Sequence, residues 1–297
     1  MTNSMDEKLL RLHYIHPLPW HKIQQLFTII NDLDDLHSVS PAILAMHLNI
    51  KQQTAASIST LYEKMKTTSL RQYYEKQQIY AIPYTSALYP ERLKQLFDPP
   101  AVLYAKGDIS ILSSERTIAV IGSRVATSYS ENALKLLIPP LVQQQIVIVS
   151  GLAKGADRLA HEAAIRYGGK TIGVLGNGFF HSYPKENDEL YRYMAEHQLV
   201  VTEYPPYMGV KKWHFPARNR IISGLSEALL VTEAKLKSGT LITTELALEQ
   251  GKDVFVVPGN IFSEQSRGTN KLIKEGAIPI WDGHQMLAEL QMFSSFR

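Results

Sequence analysis

The sequence predicts an α/β protein in which a mostly parallel, doubly wound sheet follows a small all-α bundle. Residues 1–78 carry apolar groups at helical spacing and no convincing strand. From Thr117 onward, short buried-type runs alternate with amphipathic or alanine-rich helical stretches, the pattern of βαβ units and a parallel sheet. At Gly122 the first of those runs passes through a glycine turn into a helix that starts at Ser128, which is a phosphate-binding geometry.

In the first segment, Leu9, Leu10 and Leu12, then Ile23, Leu26, Phe27 and Ile30, then Ile43, Leu44 and Leu48, then Ile58, Leu61 and Met65 mark four or five short helices. Pro17, Pro19 and Pro41 separate them. Sterile-alpha-motif and helix-hairpin-helix modules are bundles of this size, so protein or DNA contact is open to it; a plain accessory role is the expectation. Gln78 to Asp108 then changes texture, with β-like runs at Ile79 to Ile82 and Val102 to Tyr104 around a short helix ended by Pro99-Pro100. A boundary just before it divides the chain into residues 1–78 and 79–297, which suits a length of 297 residues.

The main strands are expected at Thr117 to Ile121, Ile146 to Val149, Thr171 to Leu175, Leu199 to Thr202, Ala228 to Val231 and Val254 to Val257. The C-terminal helix, with Met286, Leu287 and Leu290, can pack on the sheet or on a second subunit. The chain has no cysteine, which excludes disulfides and thiolate zinc sites. No apolar run approaches the roughly 20 residues of a membrane helix, and no segment resembles a signal peptide, so the expectation is a cytoplasmic protein without membrane insertion. A net charge of +3 permits nucleic-acid binding without arguing for it.

Ligands of doubly wound sheets bind outside the carboxyl ends of the strands, so the residues after each strand belong together. After the first comes Gly122-Ser123-Arg124, where a dinucleotide fold would carry three glycines; the guanidinium is either a phosphodiester ligand or a solvated loop residue. After the second, Lys154 stands between Gly151 and Gly155, a cation where a nicotinamide enzyme would hold an acid. Asp157 and His161 follow at i, i+4 with no third ligand at recognisable spacing, a hydrogen-bonding or capping pair before a metal site. After the third, a glycine-containing loop leads to Tyr183-Pro184-Lys185, whose lysine is a further cation or plain surface.

After the fourth strand, Pro205 to Arg220 carries Lys211, Lys212, Arg218 and Arg220 without an acid, interleaved with Tyr207, Trp213, His214 and Phe215. Cations along a backbone beside rings that bases can stack on are the ingredients of a single-strand groove; a basic loop anchored by Trp213 and Phe215 is the plainer alternative. Ser238-Gly239-Thr240 opens one more helix with an anion-friendly turn.

Taken in order, Ile121 to Arg124, Ser150 to Asp157 with His161, Tyr183-Pro184, Phe215 to Ser226, Glu233-Ala234 with Ser238 to Thr240, Pro258-Gly259 and Gly268 to Asn270 resemble the DprA, or Smf, DNA-processing family. The resemblance spans about Tyr89 to Ala277. It implies a sterile-alpha-motif-like bundle before an extended Rossmann-like domain that binds single-stranded DNA without nucleotide cofactor. It further implies a homodimer that protects incoming DNA and loads RecA recombinase during natural transformation, in the company of a single-strand-binding protein. The family's basic pocket maps onto Arg124 and Lys154, with Lys212, Phe215, Arg218 and Arg220 as further candidates; Ser123 and Lys185 complete the expected DNA-binding set. No nucleophile–base arrangement, carboxylate pair or metal cluster supports hydrolysis, so the expectation is a binder rather than an enzyme. The alternative is a nucleotide-acting enzyme similar to the phosphoribohydrolases of the lysine-decarboxylase-like Rossmann group, whose turn and glutamate Ser238-Gly239-Thr240 and Glu245 loosely echo.

Overall fold

The computed structural model describes residues 4–294. The first helices are α1 (Met5–Ile15), α2 (Trp20–Leu26), α3 (Pro41–Leu48), α4 (Gln52–Lys64) and α5 (Leu70–Glu75). Serines set several of their starts: Ser4, Ser40 and Ser69 accept N–H bonds from Glu7, Ile43 and Gln72, and Pro41 occupies a first turn that needs no N–H of its own. Leu9, Leu12, Ile23, Leu26, Leu44, Ile58 and Tyr62 fill the bundle core. The other face of α1, together with α5, turns away from that core. There Leu10, Leu70 and Tyr74 pack among side chains of the sheet, and His13 Nδ1 lies 3.0 Å from the Tyr104 hydroxyl. The bundle and the sheet therefore share a buried layer.

The rest of the chain runs β1 (Tyr80–Pro83), α6 (Glu91–Lys94), β2 (Val102–Gly107), β3 (Thr117–Ile121), α7 (Ser128–Gln143), β4 (Val147–Ser150), α8 (Ala156–Arg166), β5 (Thr171–Val174), α9 (Asp188–His197), β6 (Leu199–Thr202), α10 (His214–Gly224), β7 (Ala228–Val231), α11 (Gly239–Glu249), β8 (Asp253–Val256), α12 (Arg267–Lys274), β9 (Ile278–Pro279) and α13 (Gly283–Ser294). The strands form one sheet in the order β1-β2-β6-β5-β4-β3-β7-β8-β9. The two pairings made by β2 are antiparallel and all others parallel. This is the mostly parallel, Rossmann-like α/β architecture that the sequence predicts.

Alternate residues of the central strands feed opposite faces, as the pleat requires. Ala119, Ile121, Val149, Leu229 and Val231 pack with Ile221, Ile222 and Leu272 on one side, and Ile118, Val120, Ile148 and Leu230 with Leu134, Leu137, Ile138 and Ala160 on the other. From β3 the chain steps through β4 and β5 to β6, then returns to lay β7 and β8 on the other side of β3. The reversal falls between β3 and β7, so the loops leaving their carboxyl ends diverge and open a crevice there.

One expectation changes and one open alternative is resolved. Pro205 to Arg220 was expected as a basic loop, but its second half is helix: α10 begins at His214, with Pro216 in a first turn that has no N–H bond to lose. Of the two alternatives left open for Met286 and Leu290 of α13, the structure takes packing within the chain: both are buried with Leu134, Leu137 and Leu141 of α7 and with the sheet residues beneath them.

Candidate nucleic-acid interface

The crevice is built by two turns locked together. Ser123 C=O accepts the Ala156 N–H at 3.0 Å, which seats the first turn of α8 against the turn after β3. Gly155 makes that approach at φ 74°, where a Cβ would run into the backbone of Ser123 and Arg124. Arg124 is thereby pushed to the surface, with its guanidinium 5.5 Å from the centroid of the Phe215 ring. The pair stands between two depressions of about 430 Å³ and about 240 Å³. The larger lies at the switch between β3 and β7, walled by Ser123, Asn219, Lys235, Lys237 and the start of α11. The smaller is lined by Gly151 to Lys154, Leu175, Tyr183 and Pro184. Arg124, Ala153, Phe215 and Arg218 belong to both.

Arg218 forms the charged floor. It is only 4% exposed, and its Nη1 donates to the carbonyls of Val174, at 2.6 Å, and Gly151. A Cβ on Gly151 would run into that guanidinium. Asp157 lies on the same side, accepting the N–H groups of Gly151 at 3.1 Å and Ala153 at 3.4 Å. Burial raises the Asp157 pKa, and it lowers that of Arg218 despite the opposing pull of the Asp157 charge. Arg218 thus raises the potential of both depressions from beneath, while its Nη1 is held by the backbone.

The expected DNA-binding residues separate into groups. Ser123, Arg124, Lys154, Phe215 and Arg218 meet in the crevice. Lys154 forms an ion pair with Glu186, and that bond pulls the carboxyl below its ordinary value. Lys185 and Lys212 are exposed on the loops before α9 and α10, outside the lining of either depression. Arg220 is the exception: two residues on from Arg218, it points about 200° away around α10. It is clamped by Glu203 at 2.6 and 2.8 Å and by the Asp98 carbonyl at 2.9 Å. Burial works against its charge, but the Glu203 carboxylate prevails and raises its pKa. It ties α10 to the outer strands and does not enter the crevice.

Several neighbours hold the rim. The 205–213 loop is fixed by bonds from Gly178 N–H to Met208 C=O at 2.8 Å and from Phe180 N–H to Pro206 C=O at 2.9 Å. The Tyr207 hydroxyl donates to the Tyr14 carbonyl, fastening this loop to the bundle. His214 is buried with its ring stacked on Tyr204 at 3.8 Å, an anchor, whereas Trp213 is exposed beneath Lys211 Nζ. Asp157 and His161 do separate work: His161 Nδ1 sits 2.7 Å from Thr171 Oγ1. Glu245 is exposed on α11 outside the lining of both depressions, and Glu233 is occupied by the N–H and hydroxyl of Thr127, both at 2.8 Å. The glutamate on which the nucleotide-acting alternative rests, Glu245, therefore stands outside the crevice.

Sequence reasoning passed over Lys235, Lys237 and Glu186. The lysines were legible by the rule that marked the other cations, since they follow β7 directly; Glu186 shows its role only when the loop folds back onto Lys154.

A profile of the family described as DNA recombination-mediator protein A matches residues 80–291. The chain is 48% identical over 217 residues to the DNA processing protein DprA of Bacillus subtilis, covering 73% of each. It is 45% identical over 203 residues to that of Streptococcus pneumoniae, covering 68% of this chain and 71% of the relative. The X-ray structure of the Streptococcus pneumoniae protein superposes with a TM-score of 0.82 at 35% identity, over 97% of this chain and 99% of that one. A Helicobacter pylori DNA processing protein A, whose structure describes a single-stranded DNA binding mode, gives a TM-score of 0.66 at 31% identity, over 72% and 96%. By sequence and fold together, this chain belongs to the DNA recombination-mediator protein A family.

Proposed function

We propose that this protein binds single-stranded DNA in the crevice between β3 and β7 and acts as a recombination mediator rather than an enzyme. The observation that carries the reading is the Arg124–Phe215 ridge between two depressions above the buried Arg218. Phosphates approach Arg124, Lys154 and the start of α11, while an exposed edge of Phe215 or Tyr183 takes an unstacked base. A duplex offers no free base faces, which is why the geometry favours single strands. The family's name supports a role in recombination; within it, the reading we propose is that the protein protects incoming DNA and loads RecA recombinase during natural transformation, as a homodimer in the cytoplasm. Lys185 and Lys212, exposed on the loops before α9 and α10, serve in this reading as outer contacts for the backbone.

If about three to five phosphates are neutralised, log affinity falls with log salt at a slope of roughly −2 to −4. A gel shift comparing one oligonucleotide with its duplex, at low and moderate salt, tests the reading. Preference for the single strand supports it; equal or stronger duplex binding overturns it.

A further inference from the structure

The loops after β3, β7 and β8 and the first turn of α7 carry a set of exposed apolar side chains, of which only Val125 lines the crevice. Val125 is 71% exposed, Ile261 75% and Phe262 88%, and Tyr129 and Leu236 are also exposed. These residues form one surface, because the three loops are fastened to one another. The Tyr129 hydroxyl donates to the Pro258 carbonyl. Ala234 N–H donates to Gln265 C=O and Gly268 N–H to Ala234 C=O, each at 2.7 Å, and Lys235 reaches Glu264 at 3.2 Å. The Asn270 amide holds Gly259 from both sides, at 3.0 and 3.2 Å, and the Phe262 N–H is tied to Asn260 Oδ1 at 2.9 Å. The turn that presents Phe262 is thus bonded into shape.

We infer that this surface is a second contact area for single-stranded DNA, in which bases leaving the crevice rest on Tyr129 and Phe262 while phosphates meet Lys235 and Lys237. The inference rests on the crevice being the single-strand groove. Continuity supports it, since Val125, Lys235 and Lys237 also wall the larger depression. So does charge: among the described residues Lys237 has no acidic partner within ion-pair distance, and the carboxylate of Glu264 is shared with Lys235. Rings beside lysines suit a flexible polyanion with exposed base faces. A patch of this kind on a folded surface is otherwise a place for association.

The test is fluorescence anisotropy with oligothymidylates from about 4 to about 16 nucleotides, a range that starts near the crevice's own capacity. Phe262→Ala is expected to weaken the longest oligomers about tenfold and leave the shortest unchanged. Lys237→Ala, which removes a cation shared by the crevice wall and this surface, is expected to flatten the salt slope by about 0.7. Equal affinities at every length would overturn the inference, as would a change in solution mass of Phe262→Ala without DNA, which would make this face a contact between copies of the chain. Loss of binding in Arg124→Ala alongside an indifferent Phe262→Ala would remove only this second surface; an indifferent Arg124→Ala would remove the groove itself.

Discussion

The Arg124 guanidinium and the Phe215 ring, 5.5 Å apart, form the ridge that divides the crevice into its two depressions. The contact holds a cation and an aromatic face in one place, so a nucleotide crossing the ridge finds both together. It also explains why the helix starting at His214 matters: α10 brings Phe215 to the ridge and Arg218 to the floor within one turn.

Phe215→Ala should weaken single-strand affinity by about 1–3 kcal/mol, the cost of losing one stacked base, and should do so for every base composition. Titrations of homopolymers of different bases measure this. A loss confined to one base would point to hydrogen-bond readout instead.

Glu186→Gln should tighten binding. The Glu186 carboxylate neutralises Lys154 in the free protein, and a phosphate must displace it. Both side chains are exposed, so the effect is modest, within about fivefold, as for other surface pairs. The comparison is the dissociation constant of Glu186→Gln against wild type and against Lys154→Ala, which should move the opposite way. Unchanged affinity in Glu186→Gln would show that the ion pair does not compete with DNA.

Arg220→Ala should act on stability. Its guanidinium is clamped between Glu203 and Asp98, and removal leaves the half-buried Glu203 carboxylate without its partner, at a cost of about 3 kcal/mol. Urea unfolding measures it. A fully stable Arg220→Ala that cannot bind DNA would return this residue to the interface.

Acid should destabilise the fold. Burial lowers the pKa of His13 and of His161 to about 3, whereas in the unfolded chain each titrates near about 6.5. The unfolded state therefore takes up protons that the folded state refuses. The contribution of these groups is complete above about pH 6.5 and is lost as pH falls toward about 3, reaching about 2 kcal/mol each at about pH 5. Urea midpoints at neutral and mildly acid pH should differ accordingly; identical midpoints would mean that these rings are not held neutral.

Much of the architecture was readable in advance because buried parallel strands announce themselves as β-branched apolar runs. Thr117 to Ile121, Leu199 to Thr202 and Ala228 to Val231 fall where the sequence places them. The crevice was readable through Gly122, Gly151 and Gly155, since close backbone approach leaves few alternatives to glycine. What the sequence could not separate is cations of the same type. Arg218 and Arg220 differ only in their angle around α10, and that angle sends one to the floor of the crevice and the other to Glu203. Pro216 concealed the helix because proline reads as a breaker except in a first turn. Met286 and Leu290 could not be assigned to a partner or to the core until α13 was seen lying on α7.

The most direct test of a phosphate-binding crevice is the salt dependence of single-strand affinity for wild type beside Arg124→Ala. Wild type should give a slope of roughly −2 to −4, and Arg124→Ala should bind more weakly with a slope shallower by about 0.7. Superimposable lines for the two proteins would contradict the account.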